Sequence, residues 1–406
     1  MAPRLGKIDL LSAALPTDSG AAFVLPSAAR GDAFLRFADA EIELREGQRD
    51  VVVRFSGAAD ASDAYQKGHS LAQQGLDLLS MLGRLDGVIA EAEDQHVLWW
   101  TEQIGLVVRF VSTATLRFGV GPVTIEVRDT QGNVVPPKPI VPCHHIGFRF
   151  FRLAQVSDDL YDAYRNMYLA FEVLLSSRFP ISKGEREGHW LNRALGGASG
   201  DMNLTDLVPS SPRNTVEAVL DVVYYDGRLP LFHAKEGRAF YAPQDSPANR
   251  EVISRALRTL THIVLRMSET WFQARRMRGG VSLGWVYEQA AEQLRGLTIV
   301  ASGDSSPFDA SESDLAHARF REGLRMSTHL APELMKGKAP AVLGTTQGTD
   351  ITRLPVLRRF DLVTSSSPYV AYTLETDCVL TGVERLEVVS HLRAMNLNEP
   401  KSLFKT

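Results

Sequence analysis

The chain has 406 residues, 44% hydrophobic and 23% charged, which suits two or three globular domains and excludes long-range disorder. A formal net charge of -4 gives no global attraction to nucleic acid, so any such binding must come from a local patch. Two cysteines, Cys143 and Cys378, are too few for a disulfide scaffold or a cysteine-rich zinc site.

The N-terminus, Met1 to Lys7, lacks a following apolar segment with a cleavage site, so no signal peptide is expected. From Leu5 to about Val127 strands dominate. Ala33 to Phe37, Ala40 to Leu44 and Val51 to Phe55 are short, alternating or β-branched, and parted by glycine or charged turns. A helix is predicted from about Ser62 to Leu82, with Leu71, Gly75, Leu78, Leu79 and Leu82 at helical spacing. Strand character resumes over Val97 to Trp100, Leu106 to Phe118 and Val123 to Val127. Pro136, Pro137, Pro139 and Pro142 cannot continue a helix or a central strand, so a stiff connector follows.

The middle reads as helical. Ser157 is the expected N-cap of a helix whose face is Leu160, Tyr164, Met167, Phe171, Leu174 and Leu175. Glu187 to Leu195 forms a second helix, stopped by Gly196-Gly197, and Val216 to Val223 a third. From Pro247 a long helix keeps Ile253, Leu257, Leu260, Val264, Met267 and Trp271 in register up to Gly279-Gly280. After Val281 comes one more helix, Trp285 to Leu294. Strands follow over Leu297 to Ala301, Val356 to Thr364, Tyr369 to Leu374 and Arg385 to Leu392, and Gly303 to Asp314 reads as a loop.

The expected fold class is therefore α+β and multidomain. A mixed, strand-dominated N-terminal domain (1–135) leads through a proline-rich connector (136–155) to a central all-α bundle (156–280) and a β-rich C-terminal domain (281–406). The longest apolar runs fall far short of the ~18 residues that span a bilayer, so a soluble, cytoplasmic protein without a membrane partner is expected.

The chemistry concentrates in Tyr224-Tyr225-Asp226-Gly227-Arg228-Leu229-Pro230-Leu231-Phe232-His233-Ala234-Lys235, read as a turn between helices. A guanidinium holds phosphate bidentately and keeps its charge, while an imidazole trades protons near neutral pH. Arg228 would grip a scissile phosphate and stabilise its growing charge, and His233 would move the proton of a 2′-hydroxyl or of the leaving oxygen. The other reading is a solvated arginine and a histidine packed on Tyr225 or Phe232.

With its R-x4-H spacing, the segment Val156 to Gly279 resembles a HEPN domain. Tyr161 to Leu175, followed by Leu231 to Lys235, is similar to the Apea-like branch and to the MauJ proteins of methylamine-utilisation clusters. The resemblance implies a metal-independent ribonuclease acting as a homodimer, with two Arg/His pairs facing one cleft. It makes Arg228 the phosphate-binding arginine and His233 the catalytic histidine; Glu172 and Lys235, nearby in the same segment, are the candidate supporting residues. Leu229 stands where active members usually carry a polar residue, and this departure sustains an alternative: a non-catalytic scaffold or accessory protein of a metabolic gene cluster.

Glu172 lies mid-helix, either orienting Arg228 through a charge-assisted bond or pairing on its own helix surface. Arg258, His262 and Arg266 recur every four residues opposite the apolar face of the long helix, and Arg275 and Arg276 follow at its end. Such a stripe either tracks an RNA backbone or is a solvated face, and the terminal arginines also suit the negative helix end. Cys143-His144-His145 offers ligand types, but adjacent strand residues point to opposite faces and no second pair has useful spacing, so no metal and no cofactor is expected. Flanking domains would recognise a protein partner or trigger.

Overall fold

Period-two alternation in the flanks and three-to-four spacing in the middle both become structure, but the strands of the two flanks pair with each other. The computed structural model describes residues 2–11, 15–89, 92, 94–117, 127–128, 130–131, 134–135, 142–207, 214–234, 240–243, 247–274, 283–304, 323–331, 340–364, 368–395 and 399–403. The chain divides into two units, Met1–Leu116 with Leu283–Met395, and Arg117–Ser282 with Asn396–Lys405.

The first unit begins with β1 (Arg4–Leu5), β2 (Ile8–Asp9), β3 (Ser19–Val24), β4 (Ala33–Phe37), β5 (Ala40–Leu44) and β6 (Asp50–Phe55). Helix α1 (Ala61–Met81), β7 (Gln95–Glu102) and β8 (Gly105–Arg117) follow. The second unit holds β9 (Val127–Arg128), β10 (Val134–Val135), α2 (Gly147–Val156), α3 (Leu160–Arg178), α4 (Glu187–Asp201) and α5 (Thr215–Leu220). A π-helix (Asp221–Arg228), α6 (Leu229–Phe232) and α7 (Pro247–Phe272) complete its main run. The chain then re-enters the first unit with α8 (Leu283–Leu294), β11 (Thr298–Ser302), β12 (Leu324–Arg325), β13 (Ser327–Leu330), β14 (Ala341–Gln347), β15 (Val356–Val363), β16 (Pro368–Val379) and β17 (Val383–Met395).

In the first unit a nine-stranded sheet runs β13-β14-β17-β8-β7-β3-β6-β5-β4, and a six-stranded sheet runs β12-β11-β15-β16-β1-β2. Alternation divides the large sheet's residues between two cores. Ala21, Phe23, Val51, Val53, Leu98 and Trp100 pack with α1, while Ala22, Val52, Trp99 and Phe110 pack with Ile299, Phe360 and Leu362 of the other sheet. Small residues on the buried side of α1, among them Ala64 and Ala72, suit its face against the sheet, and Asp60 caps its N-terminus by accepting from the amide of Asp63 at 2.9 Å. β8 and β17 are neighbours joined by Arg109 and Glu387, whose Nη2 and Oε2 lie 2.6 Å apart.

In the second unit, Asp159 rather than Ser157 caps α3, accepting from Asp162 N–H at 2.8 Å. Ten residues of α3 are buried, including Tyr164, Met167, Tyr168 and Phe171. A short 3₁₀ turn, Lys401–Leu403, belongs to the same unit, and Lys401 pairs with Asp158 at 2.6 Å.

The expected fold class is corrected. The protein is mixed α/β with extensive sheets, not an all-α central bundle between two separate domains. Long β8 and β17 each carry rows of backbone donors and acceptors that demand a partner, and pairing them satisfies both and fuses the flanks into one unit. The central segment adds a β9-β10 ribbon to its helices, with Val134 opposite Arg128. Two local readings also change. Helix α4 runs through Gly196-Gly197 to Asp201, and the Arg228 to Phe232 stretch is helical rather than a turn. The expected strand over Val123 to Val127 falls within the described residues only at Val127, part of β9. Of the proline-rich connector expected over 136–155, residues 136–141 lie outside the described residues, but the rest is described and from Gly147 on is helix α2 rather than connector. Gly279-Gly280 and most of the Gly303 to Asp314 loop lie outside the described residues.

Candidate functional site

Two residues explain why the backbone widens where Arg228 sits. Pro230 has no N–H to give the carbonyl four residues back, so regular α-helical bonding cannot continue through this stretch. Gly227 lets the chain pass against a buried tyrosine: a Cβ there would lie 2.5 Å from the Tyr164 hydroxyl and 2.9 Å from its Cζ. Tyr164 in turn donates to the carbonyl of Val223 at 2.5 Å, while the Leu229 N–H reaches back five residues to the Tyr224 carbonyl. A π-turn of this kind moves the following side chain around the helix and frequently marks a functional site.

The side chain so placed is Arg228. Its Nε lies 2.9 Å from Oε1 of Glu187, the first residue of α4, and its guanidinium carbon stands 5.4, 5.7 and 5.4 Å from the ring centroids of Tyr168, Tyr224 and Phe232. Tyr168 donates to the same Glu187 oxygen at 3.3 Å. Arg228 is thus held by one carboxylate and three aromatic rings, with 19% of its side chain still exposed. Among the described residues no acceptor takes its Nη hydrogens.

Glu172 is half-buried on α3. Burial pushes its pKa up, the charge of Glu187 pushes the same way, and Arg228 partly opposes both. It therefore feels Arg228 through its field, while Glu187 makes the contact. The hydroxyls of Tyr164, Tyr168 and Tyr224 are all raised above the ordinary phenol range, burial being the largest cause in each.

His233 follows the single turn of α6 and is exposed at φ -131°, ψ 75°. The neighbouring ring that meets Tyr168 is Phe232, with centroids 6.3 Å apart. Lys235, Arg275 and Arg276 lie outside the described residues.

The stripe on α7 meets acids of its own unit. Arg266 binds Asp206 in a two-pronged pair, Nη1 to Oδ1 at 2.7 Å and Nη2 to Oδ2 at 2.5 Å, and also reaches the Asn203 carbonyl. Arg258 stands 3.9 Å from Glu399, whose pKa is raised chiefly by burial, and Arg255 stands 3.5 Å from Asp226. Part of the stripe's charge is thereby answered internally.

Cys143, His144 and His145 precede α2 in irregular backbone, not in a strand. His145 packs on Phe272 at 4.8 Å and accepts the Gly147 N–H on Nδ1 at 3.1 Å. Among the described residues no group of three His, Cys, Asp or Glu is arranged to hold a metal ion, and no helix is long and apolar enough to cross a membrane.

Sequence reasoning missed Glu187, Tyr168 and Tyr224 as parts of this site. Tyr224 stands in the Arg228 segment and Tyr168 in the stretch that carries the resemblance, but neither has a role in the sequence reading, and an acidic residue in the first turn of a helix already has a reason to be there. Only the burial of the Arg228 region, which is tertiary, singles them out.

Gly227→Ala is expected to cost about 2 kcal/mol, because Tyr164 is fully buried and cannot retreat from the added methyl. Urea unfolding followed by circular dichroism measures this. A loss below about 0.5 kcal/mol would mean that the π-turn does not depend on the bare glycine.

Comparison of the chain with protein-family models, with curated proteins and with solved structures gives no match.

Proposed function

We propose that the protein is a metal-independent endoribonuclease of the HEPN type, with Arg228 as the phosphate-binding residue and His233 as the proton-transfer residue. The observation that supports this is the way Arg228 is held. An ion-pair contact from Glu187 and three surrounding rings hold the guanidinium in place, while the Nη pair has no acceptor among the described residues and suits two phosphate oxygens. His233, five residues on, is exposed to solvent and to substrate.

In this reaction His233 removes the 2′-hydroxyl proton and the 2′-oxygen attacks the adjacent phosphorus. Arg228 balances the extra negative charge on the phosphorane-like transition state. The bond to the 5′-oxygen breaks, that oxygen takes up the proton held on His233, which returns to its neutral form, and the products carry a 2′,3′-cyclic phosphate and a 5′-hydroxyl. The reading includes a homodimer that pairs two such sites, action in the cytoplasm, and recognition of a protein partner or trigger through the first unit.

Labelled RNA incubated with the full chain in excess chelator tests it. Cleavage leaving 2′,3′-cyclic ends is expected, falling about 10²- to 10³-fold in Arg228→Ala and at least about 10²-fold in His233→Ala. Cleavage equal in both variants and the parent, or abolished by the chelator, would remove the proposal.

One observation favours a second reading, a non-catalytic scaffold or accessory protein. Glu187 and Glu172 put two carboxylates near one guanidinium, which can cancel its pull on phosphate. On that reading Glu187→Gln lowers stability without affecting RNA, whereas in the nuclease it also misorients Arg228 and raises KM.

A further inference from the structure

A cavity of about 120 Å³ lies between the two sheets of the first unit, independent of the reading given to Arg228. Its size is near that of engineered apolar cavities of roughly 150 Å³ that accept a benzene molecule. Phe110 from β8, Phe360 from β15 and Tyr372 from β16 supply aromatic walls, and Leu5 and Val97 supply aliphatic ones.

Gln95, His96, Ser112, Thr373, Glu375 and Thr376 complete a mixed lining, in which Asp50 is the buried carboxylate. Asp50, from β6, is 6% exposed. The Thr376 hydroxyl hydrogen-bonds its Oδ2, yet among the described residues no cation pairs with it. The adjacent Arg49 is turned to Glu375 in an ion pair. A buried carboxylate without a counter-cation is costly, and burial is the largest influence on its pKa, raising it. A ligand that brings both a positive charge and an apolar body would relieve that cost and fill the space. Aromatic walls add attraction for a cation at their faces. A carboxylate or phosphate ligand would instead meet Asp50 with like charge.

We propose that this cavity binds a small primary amine, its ammonium on Asp50 and its ring-sized apolar body between Phe110, Phe360 and Tyr372. Benzylamine, benzyl alcohol and benzoate share one body and differ in charge, so calorimetric titration of the full chain at about pH 8, where an alkylamine is protonated, tests the pairing. Benzylamine is expected to bind at least about tenfold tighter than benzyl alcohol, with no binding of benzoate. Asp50→Asn is expected to erase the preference for the amine. No benzylamine binding up to about 10 mM overturns the proposal, and so does equal binding of the alcohol or an unchanged preference in Asp50→Asn. Should Asp50→Asn fail to fold, the three-ligand comparison on the natural sequence decides alone.

Discussion

Acidification from pH 6.5 towards 3 is expected to remove on the order of 4 kcal/mol of stability from the first unit through one residue, His96. Its imidazole lies on β7, packed against Tyr65 with ring centroids 4.8 Å apart and against Phe23 at 6.2 Å. Nδ1 lies 2.8 Å from the Ala92 carbonyl, which can only accept, so Nδ1 carries the proton of the neutral ring. Burial pushes the pKa down to about 3; the bond to Ala92 opposes this, and His391, Arg109 and His69 add repulsion. The folded-state value thus lies below the unfolded value of 6.5, and the unfolded chain binds the extra proton. His96 therefore adds no penalty above pH 6.5, and stability falls as pH drops from there through the folded pKa. The slope approaches about 1.4 kcal/mol per pH unit. Urea unfolding at several pH values measures it, and His96→Gln, which keeps a donor for Ala92, is expected to flatten the slope by about one proton. An unchanged slope in that variant would show that other groups carry the acid sensitivity. For a domain stable by about 5–15 kcal/mol, the effect is a large fraction of the whole.

Gly20→Ala is expected to cost about 3 kcal/mol and lower Tm by roughly 5–10 °C. Gly20 sits in β3 opposite Trp99 and Arg54. A Cβ there would stand 2.1 Å from Cζ2 of Trp99 and 2.5 Å from the backbone oxygen of Val53. Trp99 is fully buried and the carbonyl belongs to a paired strand, so neither obstacle can swing away. The sheet itself must part. Gly31→Ala, with nothing within 4 Å of its Cβ, serves as the control and should stay within about 0.5 kcal/mol. Equal melting of the two variants would refute the packing argument.

The contrast between these positions shows what the sequence discloses. Helices α3 and α7 were legible because apolar spacing marks them over several turns and burial follows that spacing. In α1 the spacing gave the helix but not its face, since Leu78 and Leu82 are exposed and Ala64, Gly68, Ala72, Gly75, Leu76 and Leu79 are buried. Strand β3, Ser-Gly-Ala-Ala-Phe-Val, was not, since small residues give no alternation and every position is buried from both faces. The joining of the flanks was hidden as well, because pairing of β8 with β17 spans more than 250 residues and leaves no local sign. At the candidate site, Arg228 and His233 stood out by side-chain chemistry alone. Glu187, the group that touches Arg228, lies in another helix and is ordinary where it stands. The Arg258 and Arg266 stripe was legible as a pattern, whereas the acids that answer it, Glu399 and Asp206, come from distant segments.

The pairing of β8 with β17 also sets a schedule for a growing chain. At about 5–20 residues per second, synthesis of the segment between them takes roughly ten to fifty seconds. Throughout that interval β8 has its neighbour β7 on one side and open backbone on the other. An unfilled strand edge invites a wrong partner, and a charge on it discourages one. Arg109 lies on that strand and meets Glu387 only once β17 is made. The same guanidinium can thus keep nascent chains apart early and fasten the sheet late.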